Sequence, residues 1–182
     1  RGIIMIKFDK TDLNRIDENP FKLIGSDWML ITAGDKNSFN TMTASWGGVG
    51  VLWNKPVSYI FVRPTRYTYE FLEKNKSYSL SFFDEKYRKA LSICGSKSGR
   101  DTDKVKEAGL TPVDSGNGIV HFDEAKLVLE CTKLYFQDID PANFLDSSIS
   151  GFYNNDYHRL YIGEITEIIK KSGTAAYPQD HV

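Results

Sequence analysis

The run Val57-Ser58-Tyr59-Ile60-Phe61-Val62 is β-branched and aromatic, and prolines at positions 56 and 64 fence it on both sides. Proline removes a ladder donor, so such a run reads as a strand entered and left abruptly. Further runs of similar character read as strands at Trp28–Ala33, Asn40–Trp46, Ser77–Phe83, Gly118–Phe122, Ala125–Phe136 and Arg159–Ile169. Helical spacing lies between them: Tyr67, Phe71 and Leu72 over a charged face, then Glu85–Ile93, then a short Asp103–Ala108 stopped by Gly109. Six or seven strands with a few short helices give an α+β, mainly β domain built on an antiparallel barrel. The strict βαβ alternation of a dinucleotide fold is absent, as are G-x-G-x-x-G and P-loop fingerprints.

The 182 residues suit one domain, 1–182, with its core at about 20–170 and an N-terminal arm over 1–19. The arm reads as extended, with a short strand at Ile3–Phe8. Acidic and basic residues alternate along the chain to a net charge of −1. That balance argues against nucleic acid as a partner, which calls for a basic excess. No apolar run approaches the roughly 18–20 residues that span a bilayer, and no signal peptide is visible, so a cytoplasmic protein is expected. Cys94 and Cys131 lack metal-ligand spacing and read as two free thiols. Three scattered histidines make no metal cluster.

Two corners carry chemistry. In Asn40-Thr41-Met42-Thr43-Ala44-Ser45-Trp46, Thr41, Thr43 and Ser45 alternate on one face of a strand. Such a row suits a ribityl chain or the polar edge of a planar ring, although a solvent-facing strand has the same pattern. In Arg63-Pro64-Thr65-Arg66-Tyr67-Thr68 a strand hands over to a helix. A helix N-terminus offers unpaired N–H groups to an anion, and an arginine adds a two-donor fork. Thr65 and Thr68 add hydroxyls, and either can serve as N-cap. Together the corners read as one flavin-nucleotide site.

The loop Lys97-Ser98-Gly99-Arg100 reads as a clamp on a phosphate or as a solvated turn. His158, just before the last strand, reads as a proton-moving group beside a flavin or nicotinamide, or as an ordinary strand-edge histidine. With no nucleophile elbow in view, the chemistry falls to a bound cofactor.

Taken in order, Asn40–Gly48, Asn54-Lys55-Pro56, Val62–Phe71, Cys94–Asp101 and Tyr157–Ile165 resemble the flavin reductase-like family and its flavoredoxin-type members. The resemblance runs over roughly residues 20–170. It implies an FMN-binding split β-barrel and a homodimer with FMN near the subunit interface. It implies that Thr43, Ala44 and Ser45, with Trp46 beside them, approach the ring and ribityl chain. Arg63, Thr65, Arg66 and Thr68 would surround the phosphate, Lys97 and Ser98 would close over it, and His158 would be the catalytic group. The activity expected is transfer of electrons from NAD(P)H through flavin to free flavin, a ferric complex or a protein acceptor. A non-catalytic FMN-binding electron carrier or flavin store is the alternative. The segment 137–157, with Pro141 and Gly151, is expected to be a long surface excursion, of the kind often functional or involved in contacts.

Overall fold

The computed structural model describes residues 8–11 and 16–171. Its centre is one antiparallel sheet of eight strands. In chain order these are β1 (Phe8–Thr11), β2 (Met29–Asp35), β3 (Ser38–Ala44), β4 (Gly47–Leu52), β5 (Lys55–Val62), β6 (Ser77–Phe82), β9 (Leu127–Asp138) and β10 (Arg159–Lys171). Between β6 and β9, β7 (Pro112–Asp114) and β8 (Val120–Phe122) form a separate two-stranded ribbon. The helices are α1 (Tyr67–Lys74), α2 (Arg88–Ser96) and α3 (Lys104–Glu107). Most of the expected Ile3–Phe8 strand lies outside the described residues; Phe8 itself opens β1, which pairs with β10.

The strand order is β3-β2-β6-β9-β10-β5-β4, with β1 off that path. β3 and β4 are therefore the two ends of the path, although only Ser45 and Trp46 separate them in sequence. The barrel is split at this point: the chain steps from one sheet end to the other without a ladder between them. The split β-barrel class expected from the sequence is the fold observed.

Strand alternation builds two apolar layers. Met29, Ile31, Leu80, Phe82, Leu129 and Tyr161 fill the interior together with Leu72 of α1. Leu30, Phe122 and Val128 point to the other face and pack beneath Leu91 and Cys94 of α2. The two buried cysteines belong to different layers and are free thiols.

β4 went unread in the sequence because Gly47, Gly48 and Gly50 weaken its strand signal. It forms by pairing with β5 through the two-residue turn Trp53-Asn54, both residues having positive φ (53° and 57°). Asparagine accepts that conformation readily, whereas tryptophan does not. The ladder and a contact between the Trp53 and Tyr135 rings, 6.3 Å apart, hold it.

Residues 139–158 form the expected excursion, with 3₁₀ turns at Pro141–Asn143 and Ser147–Phe152. No helix among the described residues is long and apolar enough to cross a membrane.

Candidate functional site

Three neighbouring cavities lie around the step from β3 to β4. One, of about 230 Å³, is bounded by Thr43, Ala44, Ser45 and Trp46 of the corner, with Phe61, Arg63, Arg66 and His158 opposite. A second, of about 120 Å³, is bounded by Thr65, Arg66, Thr68, Lys97, Ser98 and Lys104. Met42 and Arg66 line both. A third, of about 400 Å³, continues from Thr43–Ser45 and Arg66 towards Trp28 and α2. Ligand sites for cofactor-sized molecules run to about 300–1,000 Å³, so neither of the first two suffices alone, and all three share Arg66 in their walls. Every residue expected at the site from the sequence lines one of these cavities.

Their roles divide in a way the sequence did not show. The row of hydroxyls on β3 is mostly committed to the fold. Thr41 is buried, within hydrogen-bond distance of the Thr32 hydroxyl (2.9 Å), and donates to the Ile31 carbonyl. Thr43 donates to the Leu91 carbonyl at 2.5 Å and so fastens α2 to the strand. Of the three, only the Ser45 hydroxyl has no partner among the described residues. Met42 and Ala44 line the first cavity beside Thr43 and Ser45, and the Trp46 indole stands 5.3 Å from the His158 ring. The aromatic side chains of this end suit a flat ring.

Arg63 belongs to the ring end of the site, away from Thr65 and Thr68. Its guanidinium donates to Asp156 at 2.6 Å and to the Phe152 carbonyl at 2.8 Å, and lies over the Tyr153 ring. It fastens the excursion to the end of β5. The guanidinium expected at the phosphate is thus paired with a carboxylate in this structure.

Arg66 is different. It is the N-cap residue of α1, a position expected for Thr65 or Thr68, and its side chain, having donors only, makes no cap bond. Its guanidinium donates to the Gly95 carbonyl at 2.9 Å. Among the described residues it has no carboxylate partner. Burial, with Arg63 adding repulsion, holds its pKa below the ordinary value.

Lys104, which sequence reasoning missed, joins it in the smaller cavity. The residue is 4% exposed, and its ammonium donates to the Cys94 and Lys97 carbonyls, each at 3.1 Å. Burial lowers its pKa to about 8, the nearby Cys94 thiol opposing the shift and Arg66 reinforcing it. It too lacks a carboxylate partner among the described residues, and no acidic side chain lines this cavity. A buried ammonium beside a half-buried guanidinium, neither with a counter-charge among the described residues, is expensive unless an anion completes the site. A lysine in the first turn of a four-residue helix gives no sequence signal of its own.

The other expected clamp residues are partly occupied. Lys97 pairs with Glu107, and the Ser98 hydroxyl accepts the Arg100 N–H. Thr65 is exposed on the rim. Thr68 is fully buried and accepts a bond from Asn40.

His158 is buried between Trp46, Phe61 and Tyr153, with Nδ1 3.0 Å from the Tyr153 hydroxyl. Burial, with Arg63 reinforcing it and Asp156 opposing, lowers its pKa to about 4. The imidazole is therefore neutral near pH 7. It can act there as a hydrogen-bonding group but carries no charge. No cluster of metal-ligating side chains occurs among the described residues.

A split barrel with an aromatic cleft running into a doubly cationic pocket defines a protein built for a planar ring that bears an anion. The profile described as flavin reductase like domain matches residues 21–181, and the chain belongs to that family. Comparison with curated proteins gave no match. Among solved structures, an FMN-binding domain of a flavin reductases-like enzyme from Shewanella baltica is similar, with TM-score 0.67 and 17% identity over 91% of this chain and 78% of that one. Flavoredoxin of Desulfovibrio vulgaris has TM-score 0.64 and 22% identity over 93% and 80%. An NADH:FAD oxidoreductase from Streptomyces globisporus has TM-score 0.59 and 16% identity over 79% and 75%. At these identities the likeness is one of fold.

Proposed function

We propose that this chain is an FMN-binding oxidoreductase that takes electrons from NAD(P)H and passes them to free flavin, a ferric complex or a protein acceptor. Flavin-linked oxidoreduction is the class its family supports. The observation that carries the reading for this chain is the pair of half-buried Arg66 and buried Lys104, without carboxylate partners among the described residues, in the pocket next to an aromatic cleft. The residues fit FMN: the cations and the first turn of α1 hold the phosphate, Met42 and Ala44 admit the ring, and the unpartnered Ser45 hydroxyl meets its polar edge. When bound, FMN supplies the acceptance and release of electrons. His158, held by Tyr153, would present a neutral ring nitrogen to the nicotinamide or the flavin.

Two copies are expected to pair, as the resemblance implies. Exposed Val51, Trp53 and Phe136 on β4, its turn and β9 support that reading.

The test is turnover. Purified protein with FMN should oxidise many equivalents of NADH or NADPH per chain when a flavin or ferric acceptor is supplied. A single stoichiometric reduction, or none, would favour the carrier instead.

The phosphate assignment also predicts a pH profile. FMN affinity should rise from pH 5 to 7, as the phosphate loses its second proton near a pKa of about 6. It should then fall above the pKa of Lys104, about 8 in the free protein. An anion favours the charged amine, so binding above that pH must take up a proton, at a cost of up to about tenfold per pH unit. Titrations across pH should show riboflavin, which has no phosphate, without either limb. Lys104→Gln should abolish the alkaline fall.

A further inference from the structure

Asn40 is 5% exposed, and its amide touches Thr68, which lines the anion pocket. Nδ2 donates to the Thr68 hydroxyl at 2.7 Å and to the Thr41 carbonyl at 3.3 Å. The carbonyl fixes the orientation of the amide, because turning it over would set oxygen against oxygen. Thr68 Oγ1 is therefore an acceptor towards Asn40, and its own hydrogen must point elsewhere. No other partner for that hydroxyl occurs among the described residues, and the pocket is the space it lines. The far side of the amide meets Gly99, where a Cβ would lie 2.0 Å from Asn40 Oδ1 and 3.1 Å from its Cγ. The absence of a side chain at this position lets the 97–100 loop close against Asn40.

We propose that Asn40 is a positioning residue for phosphate recognition. By donating to Thr68 it turns that buried hydroxyl into a donor aimed at the phosphate. The inference rests on the FMN reading and deepens it. Its effect passes through one hydrogen on Thr68, so it belongs to the phosphate and leaves the ring untouched.

The experiment measures dissociation constants for FMN and riboflavin by flavin-fluorescence quenching, in the wild type, Asn40→Ala, Thr68→Val, Thr68→Ser and the double Asn40→Ala/Thr68→Val. Thr68→Val should lower the FMN preference over riboflavin about tenfold or more, the usual scale for a hydrogen bond to a charged group. Thr68→Ser, which keeps the hydroxyl, should retain it. Asn40→Ala should lower the preference similarly, and the double should be no worse than Thr68→Val, since both act through the same hydrogen. Parallel loss of riboflavin binding in Asn40→Ala would make that residue part of the packing only. Multiplying effects in the double would make the two independent. Either result overturns the proposal. So does an unchanged preference in Thr68→Val, whether or not Asn40→Ala folds. A wild type that binds FMN no better than riboflavin would instead remove the phosphate reading itself.

Discussion

Arg66→Ala is expected to weaken FMN binding ten- to a hundredfold while changing riboflavin affinity by less than about threefold. A charge-assisted hydrogen bond contributes about 1.5–3 kcal/mol, which corresponds to that range of affinity. Arg66 is the one guanidinium at the junction of the aromatic and anionic cavities, and it has no carboxylate to compete with a ligand among the described residues. Arg66→Lys should recover only part of the loss, because an ammonium is a point charge without the guanidinium's fork. Arg66→Ala also relieves repulsion from Arg63 and Lys104, while losing the bond to the Gly95 carbonyl. The two effects oppose each other in the flavin-free protein. Thermal denaturation should therefore show little change without FMN, and a much smaller FMN-induced rise than in the wild type. Riboflavin affinity falling as far as FMN affinity would mean that Arg66 holds the corner together and has no particular role at the phosphate.

His158→Ala is expected to slow flavin reduction by NAD(P)H at least tenfold in stopped flow, with FMN affinity within about threefold of wild type. The ring lines the cavity of Trp46 and Phe61, whereas Lys104, Thr65 and Thr68 line the smaller one, so its loss should spare the phosphate contacts. With a pKa of about 4, the imidazole acts through hydrogen bonding. Its titration should therefore leave the reduction rate flat from about pH 5.5 to 8. Tyr153→Phe removes the partner at Nδ1 and should give an intermediate rate. The same depression has a consequence for stability. The folded pKa lies below the ordinary value of 6.5, so folding favours the neutral ring. That contribution is complete above about pH 6.5 and is lost as pH falls from there through about 4. Equal reduction rates in His158→Ala and wild type would return this histidine to a packing role.

The strands that bury one face and carry β-branched or aromatic residues were legible from sequence. Trp28–Ala33, Val57–Val62 and Ser77–Phe83 became β2, β5 and β6 with ends displaced by at most two residues. β4 was hidden because three glycines erase a local signal that only pairing with β5 supplies. β7 was hidden because it is a three-residue strand paired only with β8.

At the site, residue type located the right corners but could not assign partners. Arg63 and Arg66 look alike in sequence, yet Asp156, ninety-three positions away from Arg63, takes one and leaves the other for an anion. Thr41 and Thr43 look like a binding row until α2 and β2 are placed against them. Lys104 and Asn40 carry no local signal, because their meaning comes from burial against Arg66 and Thr68. Local pattern records which groups are present; long-range contacts decide which of them remain free to act.

The central claim is that this chain holds FMN by its phosphate in the pocket of Arg66 and Lys104. Flavin-fluorescence quenching on flavin-stripped protein tests it most directly, with FMN and riboflavin titrated side by side. Saturable binding of one FMN per chain, at micromolar affinity or tighter and at least tenfold tighter than riboflavin, is the predicted result. Absence of binding, or equal affinity for the two, would contradict it.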